Sequence, residues 1–298
     1  MRDRRIGLWA YGLMSLFCAV CFASYALGDS NEEVDYYSSG NILKFADYLY
    51  QEGDYLRAAG EYQRHLFHYP QNADSTLYKL GFCYRLAGDT ERAIHTFRKI
   101  VANKAEGRFR SAASYQIAYS YFLSRQYEKS LQYLDEAVHK AADVDERGKL
   151  QILSAFNYLH QKRWHDAEDI LSGLDLKDEE LSRTALSLRA SAQDGARLPR
   201  KSPILAGLMS TVVPGAGKFY CGQYGDGLYS LFLAGATGLL AWDGFRDDGL
   251  HSIRGWVLGS MGAIFYTGNV YGSVIAARVR NHRLEVGLLR SLPAAPDG

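Results

Sequence analysis

Residues 77–101 read LYKLGFCYRLAGDTERAIHTFRKIV, and the spacing within them decides the fold. Leu80, Gly81 and Tyr84 fall on one face of a first helix, Gly88 supplies a turn, and Ala93, Phe97 and Ile100 line a second helix. The same spacing recurs. Ala46, Leu49, Gly53, Tyr55, Ala58, Tyr62 and Pro70 hold the corresponding places one unit earlier. Ile117, Ala118, Tyr121, Tyr127, Ser130 and Leu134 hold them one unit later, and Ala155, Tyr158, Trp164, Ala167 and Leu171 after that. A period of roughly 34 to 37 residues predicts an all-α fold in which stacked helical pairs share one continuous core, a superhelix rather than a globule.

The physics of the spacing is direct. A small residue (Ala46, Gly81, Ala118, Ala155) lets the second helix of a pair approach the first, and a second small residue twelve positions on (Ala58, Ala93, Ser130, Ala167) serves the same contact from the partner helix. This segment resembles the tetratricopeptide repeat family, with four units starting near Ser39, Asp74, Ser111 and Gly148 and a closing helix over 179–192; the family's proline after the second helix survives only as Pro70. In that family the first helices line a concave surface. The resemblance therefore implies a partner-binding groove of Leu43, Asp47 and Tyr50, then Tyr78, Phe82 and Arg85, then Tyr115, Tyr119 and Phe122, then Ile152, Phe156 and His160. Rigid rings suit capture of an extended peptide or an amphipathic helix, though individual rings could equally pack between repeats or against a tail. Residues 29–202 carry 24 basic and 26 acidic side chains, so no strong field selects a charged ligand.

Composition sets the outer limits. The 298 residues include 6 prolines, 22 tyrosines and 47% hydrophobic letters at a net charge of +1, which excludes a disordered chain and any global positive field that would recruit nucleic acid. The start carries Arg2, Arg4 and Arg5 before an uncharged run over 6–28, with Ser24 and Ala26 where a signal peptidase cuts, so residues 1–28 read as a signal peptide or signal anchor. Cys18 and Cys21 lie inside that run and leave Cys83 and Cys221 for the body, too few for a disulfide framework and without a histidine that would make either a nucleophile.

Of the 29 glycines, 15 lie between Gly207 and Gly272. After a charged linker at 195–202, the segment 203–283 reads as a Gly-rich membrane module, followed by a tail over 284–298. Its expected spans are 224–245 and 255–277, joined by 11 residues into an antiparallel hairpin, with a short apolar helix over 203–213 and a tight turn at 214–217 leading in. Gly255 with Gly259, and Gly268 with Gly272, give small-xxx-small spacing, and Asn269 is expected to hydrogen-bond across to the first span. A soluble domain with two buried apolar helices is the alternative. The stretch PGAGKFYCGQYGDG is not a phosphate loop, because Val212 stands where the first glycine belongs and Phe219 where Ser or Thr belongs.

Pro214, Gly215, Gly217, Tyr220 and Gly222, with Phe265, Tyr266, Gly268, Asn269, Tyr271 and Gly272, resemble the motifs of bacterial two-span hairpin modules. That likeness implies membrane integration, and the pairing of HYPQN at 68–72 with residues 77–101 is similar to repeat proteins of the bacterial cell envelope. The expected function is a non-enzymatic, membrane-tethered scaffold at the inner membrane with periplasmic repeats, binding a protein or peptide and touching lipid. No nucleic acid, metal or cofactor is expected; Asp243, Asp247, Asp248 and His251 read as a mixed-charge loop, not a cation site. The alternative is a hairpin that oligomerises or takes part in transport or assembly while the repeats recruit partners. The arginines conflict with the exported reading. Arg197, Arg200 and Lys201 before the hairpin, and Arg278, Arg280 and Arg283 after it, favour cytoplasmic flanks, and entry into or crossing of the bilayer by 203–217 would return only the tail.

Overall fold

The structure is a computed structural model describing residues 37–71, 73–102, 107–141 and 143–296. The expected signal segment, 1–28, lies outside the described residues. All regular structure among the described residues is helical, and the chain divides into two compact units between Asp89 and Thr90.

The first unit holds α1 (Ser39–Gln51), α2 (Tyr55–His68) and α3 (Ala73–Leu86). Ser38 and Asp54 start α1 and α2 by accepting the free N–H groups of Asn41 and Arg57. The second unit continues the pairs with α4 (Thr90–Ala102), α5 (Gly107–Leu123), α6 (Tyr127–Lys140), α7 (Val144–His160), α8 (Trp164–Ser172) and the closing helix α9 (Glu179–Ala196). The eight small positions read from the spacing are all buried. Where the third pair closes, the Ser130 hydroxyl donates to the Ala118 carbonyl at 2.8 Å, a bond only a small side chain at that distance can make.

The same turn joins the helices of every pair. The N–H groups of Asp54, Asp89, Gln126 and Arg163 donate to the carbonyls of Leu49, Tyr84, Tyr121 and Tyr158, each at 2.9 Å, the long-range bond of a Schellman end. This turn needs a left-handed residue just before the donor. Gly53 (φ 79°) and Gly88 (φ 81°) provide it in the first two pairs, but Arg125 (φ 58°) and Lys162 (φ 63°) provide it in the next two. A side chain held there costs about 1–2 kcal/mol.

From Lys201 the second unit forms a Gly-rich module of α10 (Pro203–Val212), α11 (Ala216–Tyr220), α12 (Tyr224–Asp248) and α13 (Ile253–Arg290). α10 runs antiparallel to α13, turns at Gly215 (φ 88°), and α11 doubles back. A Cβ on Gly217 would lie 1.9 Å from the Ala206 carbonyl oxygen, so only glycine fits the return. A chain of hydroxyls closes the fold: Gly217 N–H donates to Ser210 Oγ at 2.9 Å, Ser210 and Ser273 Oγ share a 2.7 Å bond, and Ser273 donates to the Asn269 carbonyl.

Three expectations are corrected here. The Asn269 side chain is buried and makes no bond to α12; its amide has no hydrogen-bond partner, and Ser210 and Ser273 carry the polar contact between helices instead. The connection is shorter than 11 residues, because α12 extends to Asp248 and a 3-10 turn (Gly249–His251) leads almost directly into α13. Residues 203–217 do not run from one end of the module to the other, since α11 returns them to the end they entered: the Tyr220 hydroxyl accepts from Ser202 N–H at 3.3 Å. Of the paired glycines, Gly255 lies against the Phe245 ring, whereas Gly268 faces open space.

The turn chemistry yields a test. Arg125→Gly removes the left-handed cost and should raise unfolding stability by about 0.5–1 kcal/mol. Lys162→Gly should not, because Lys162 also pairs with Glu285; chemical denaturation of both variants in one detergent checks the difference.

Candidate functional site

The first-helix face of the first unit is an open cavity of about 420 Å³ lined by Asp47, Tyr50, Gln51, Tyr62, Tyr78, Lys79 and Phe82. The helical rise places Tyr78 and Phe82 one turn apart on α3, with ring centroids 5.0 Å apart in an edge-to-face arrangement, and the Arg85 guanidinium lies 4.8 Å over the Phe82 ring. Asp47 is the polar centre. It accepts a hydrogen bond from the Tyr62 hydroxyl and 2.6 and 2.9 Å bonds from Lys79 Nζ. Burial, with the Asp47 charge beside it, drives the Tyr62 hydroxyl far above the ordinary tyrosine range, so Tyr62 is a fixed donor and the carboxylate is held in place. Leu43 is half-buried on the same helix as Asp47 and Tyr50. Sequence spacing pointed to Asp47, Tyr50, Tyr78 and Phe82; it missed Gln51, Tyr62 and Lys79, for which the complementary charges of Asp47 and Lys79, 32 positions apart, were the available signal.

In the second unit the corresponding rings are covered. Tyr115 and Tyr119 stack at 6.0 Å, and Phe122 meets Phe156 at 6.2 Å and the His160 ring at 5.2 Å. Tyr115, Tyr119, Ile152 and Phe156 are buried, Ile152 at 0% exposure, so that residue is core rather than lining. What covers this face is the chain itself: Leu288, Leu289 and Leu292 pack on the cluster containing Ile152, Phe156 and Leu159, Ala295 packs on that cluster and on the one containing Tyr115 and Tyr119, and the Tyr115 hydroxyl donates to the Pro296 carbonyl.

The module's own candidate residues meet around the α10–α11 return. Pro214 and Tyr266 border a second cavity, of about 430 Å³, shared with Leu231, Gly235, Gly259 and Gly262. The Tyr266 hydroxyl donates to the Thr211 carbonyl, Arg280 lies 3.4 Å from where a Gly222 Cβ would stand, and Gly272 faces the Lys218 side chain. Among the described residues no group of three or more His, Cys, Asp and Glu side chains is placed to hold a metal ion. Burial pushes the Cys83 thiol up to about 12, so it stays protonated at neutral pH and is a packing group.

Known proteins give a partial frame. A tetratricopeptide repeat family model matches residues 75–103, which contain the helical pair from which the repeat spacing was read. The crystal structure of the apo form of RapI is similar over 93% of this chain and 96% of its own, at 13% identity and a TM-score of 0.41. No curated protein matches the chain. Fold and match together define an all-α protein of helical pairs, with a tetratricopeptide repeat model matching residues 75–103.

His160 supplies a pH test. Burial, reinforced by Arg125, holds its pKa below the ordinary histidine value. The unfolded chain then binds the proton first, so stability present at neutral pH falls as pH drops through the ordinary histidine range near 6.5. The melting temperature should decrease more between pH 7.5 and 5.5 in the wild type than in His160→Gln.

Proposed function

We propose that the chain is a membrane-tethered adaptor, non-catalytic, whose first-helix surface in the first unit holds a segment of another protein. One observation carries this reading: an open cavity with aromatic walls, lined also by the Asp47–Lys79 ion pair. Aromatic walls give contact area at little entropic cost, while an ion pair that already satisfies itself does not demand a charged partner. The tetratricopeptide match supports the same conclusion.

The surface of the module supports a tether. One described helix, Tyr224–His251, is long and apolar enough to cross a membrane, and only 22% of its most apolar window is buried. The core helix of a soluble domain would be mostly covered. Here Phe232 (72% exposed), Leu239 (72%) and Trp242 (72%) on α12, and Ile264 (67%) on α13, form an outward apolar band. α10, with 10 residues, is about 15 Å long, half of a ~30 Å hydrocarbon core, so in this reading it enters the bilayer and returns. The linker and the arm of α13 then leave on one side, with Lys201 over the Tyr220 ring and Arg280 on the Cys221 carbonyl at that end. The repeats and residues 284–296 share a compartment. Those flanking charges favour the cytoplasmic side, and the N-terminal segment favours export, so compartment reporters after residues 195 and 248 decide the orientation.

A second reading is favoured by the 430 Å³ cleft between α12 and α13, floored by Gly235, Gly238, Gly259 and Gly262, which would admit a helix of a second copy or a lipid chain. It assigns the work to the module and the recruiting to the repeats.

Two measurements test the adaptor reading. A photo-crosslinker at Gln51 should give a discrete protein adduct in cells that Tyr78→Ala with Phe82→Ala abolishes at unchanged helicity; an adduct that survives the double substitution overturns the assignment of this surface. Alkaline carbonate should leave the chain with the membranes and detergent should release it, whereas recovery in the carbonate supernatant would remove the tether.

A further inference from the structure

α13 runs for 38 residues, well beyond the last uncharged stretch of the module, and its final turns leave the module for the repeats. The departure is fixed by specific bonds. Asn281 holds the linker through two reciprocal 2.8 Å bonds, accepting from the Lys201 N–H and donating to the Lys201 carbonyl. One turn later Glu285, only 8% exposed, pairs with Lys162 on the α7–α8 turn and lies 3.6 Å from the Arg200 guanidinium. A carboxylate is buried at tolerable cost only when cations face it, and here one of the two cations is the side chain that holds the strained left-handed turn.

Beyond Glu285 the chain presents Leu288, Leu289 and Leu292 as an apolar edge and then Pro293, Ala294, Ala295 and Pro296 outside any helix. The edge and the extension cover the rings that the repeat register places on the first-helix face: Leu288, Leu289 and Leu292 cover the Phe156 cluster, Ala295 adds the Tyr119 cluster, and Tyr115 donates to the Pro296 carbonyl. This is the chemistry with which a helical-repeat surface takes a peptide: leucine anchors, a following segment in which two prolines reduce the N–H groups that would need partners, and one backbone carbonyl caught by a side-chain donor.

We propose that residues 284–296 are a ligand in cis for the α5–α7 surface. They close it to other proteins until a segment of the same chemistry, a short helix with leucines at i, i+1 and i+4 followed by a Pro/Ala stretch, displaces them. Tethering through α13 keeps this ligand at a local concentration on the order of millimolar, so only a partner that binds tightly or is itself concentrated at the membrane gains entry. Opening to water is disfavoured because it exposes both the leucine edge and the rings at once, whereas exchange for a like segment exposes only the released arm. The inference deepens the adaptor reading, on which its biological use rests, and concerns a surface separate from the open cavity of the first unit.

The test uses the detergent-solubilised chain and a fluorescein-labelled peptide of residues 284–296, followed by anisotropy. Two opened variants are compared with the full chain: one lacking residues 287–298, and Leu289→Asp with Leu292→Asp in the complete sequence, so that the outcome does not hang on one variant folding. Both opened forms should bind the peptide at least tenfold more tightly than the full chain, and Tyr115→Phe added to either should weaken binding about fivefold, the worth of one hydrogen bond. Equal binding by all three, or no binding to either opened form, overturns the assignment. That failure would leave the Gln51 adduct of the first unit intact, and loss of the adduct would leave the peptide titration unchanged, so the two readings fail separately.

Discussion

Two helices can approach only as closely as the residues between them allow, and in the repeats that limit is set at Ala46, Ala118 and Ala155 from one side and Ala58, Ser130 and Ala167 from the other. Everything else depends on this contact. With those residues buried, Tyr62 and Leu134 fill the gaps alongside, each fully covered. A larger residue at any of the six would force the pair apart and misplace rings whose usefulness is their rigidity. Within each unit the recurring Schellman end fixes the angle at which a second helix returns, so distance and direction are both set by local geometry.

The Gly-rich module solves a related problem by different means. Where α10 and α11 fold back beside α13, backbone meets backbone. Gly217 lies under the Ala206 carbonyl and Gly215 under the Gly227 carbonyl. Such approach leaves amide groups short of partners, and the hydroxyls of Ser210 and Ser273 supply them in series. α13 then serves two masters: its first half packs in the module, and its second half carries Asn281, Glu285 and the leucine edge to the repeats. Strain and charge meet at Lys162, whose left-handed backbone is offset by a partner on another element.

Much of this was legible in the residues. Gly53 and Gly88 announce their turns because glycine is what that backbone ordinarily selects, and the periodic small residues announce the helix contacts. Arg125 and Lys162 announce nothing, since each holds the same conformation through the repeats around it rather than through its own preference. Asn269 shows the opposite limit: a lone amide in an apolar helix invites a bond across the pair, but which face it presents depends on the rotation of α13, which Ser273 and Ala277 fix by packing on α10.

By itself the sequence determined the all-helical pairs, the positions of the ring-bearing faces and the Gly-rich character of residues 203–283, because these are properties of spacing over one or two turns and are read within a window of a repeat. Only the tertiary structure decided that, among the described residues, one ring-bearing face lines a cavity while another is filled, that the segment before α12 doubles back, and that Tyr115 meets a carbonyl 181 positions away. Such contacts have no period to betray them: they arise where a long helix ends, and that is set by the sum of packing and charge pairing along its whole length.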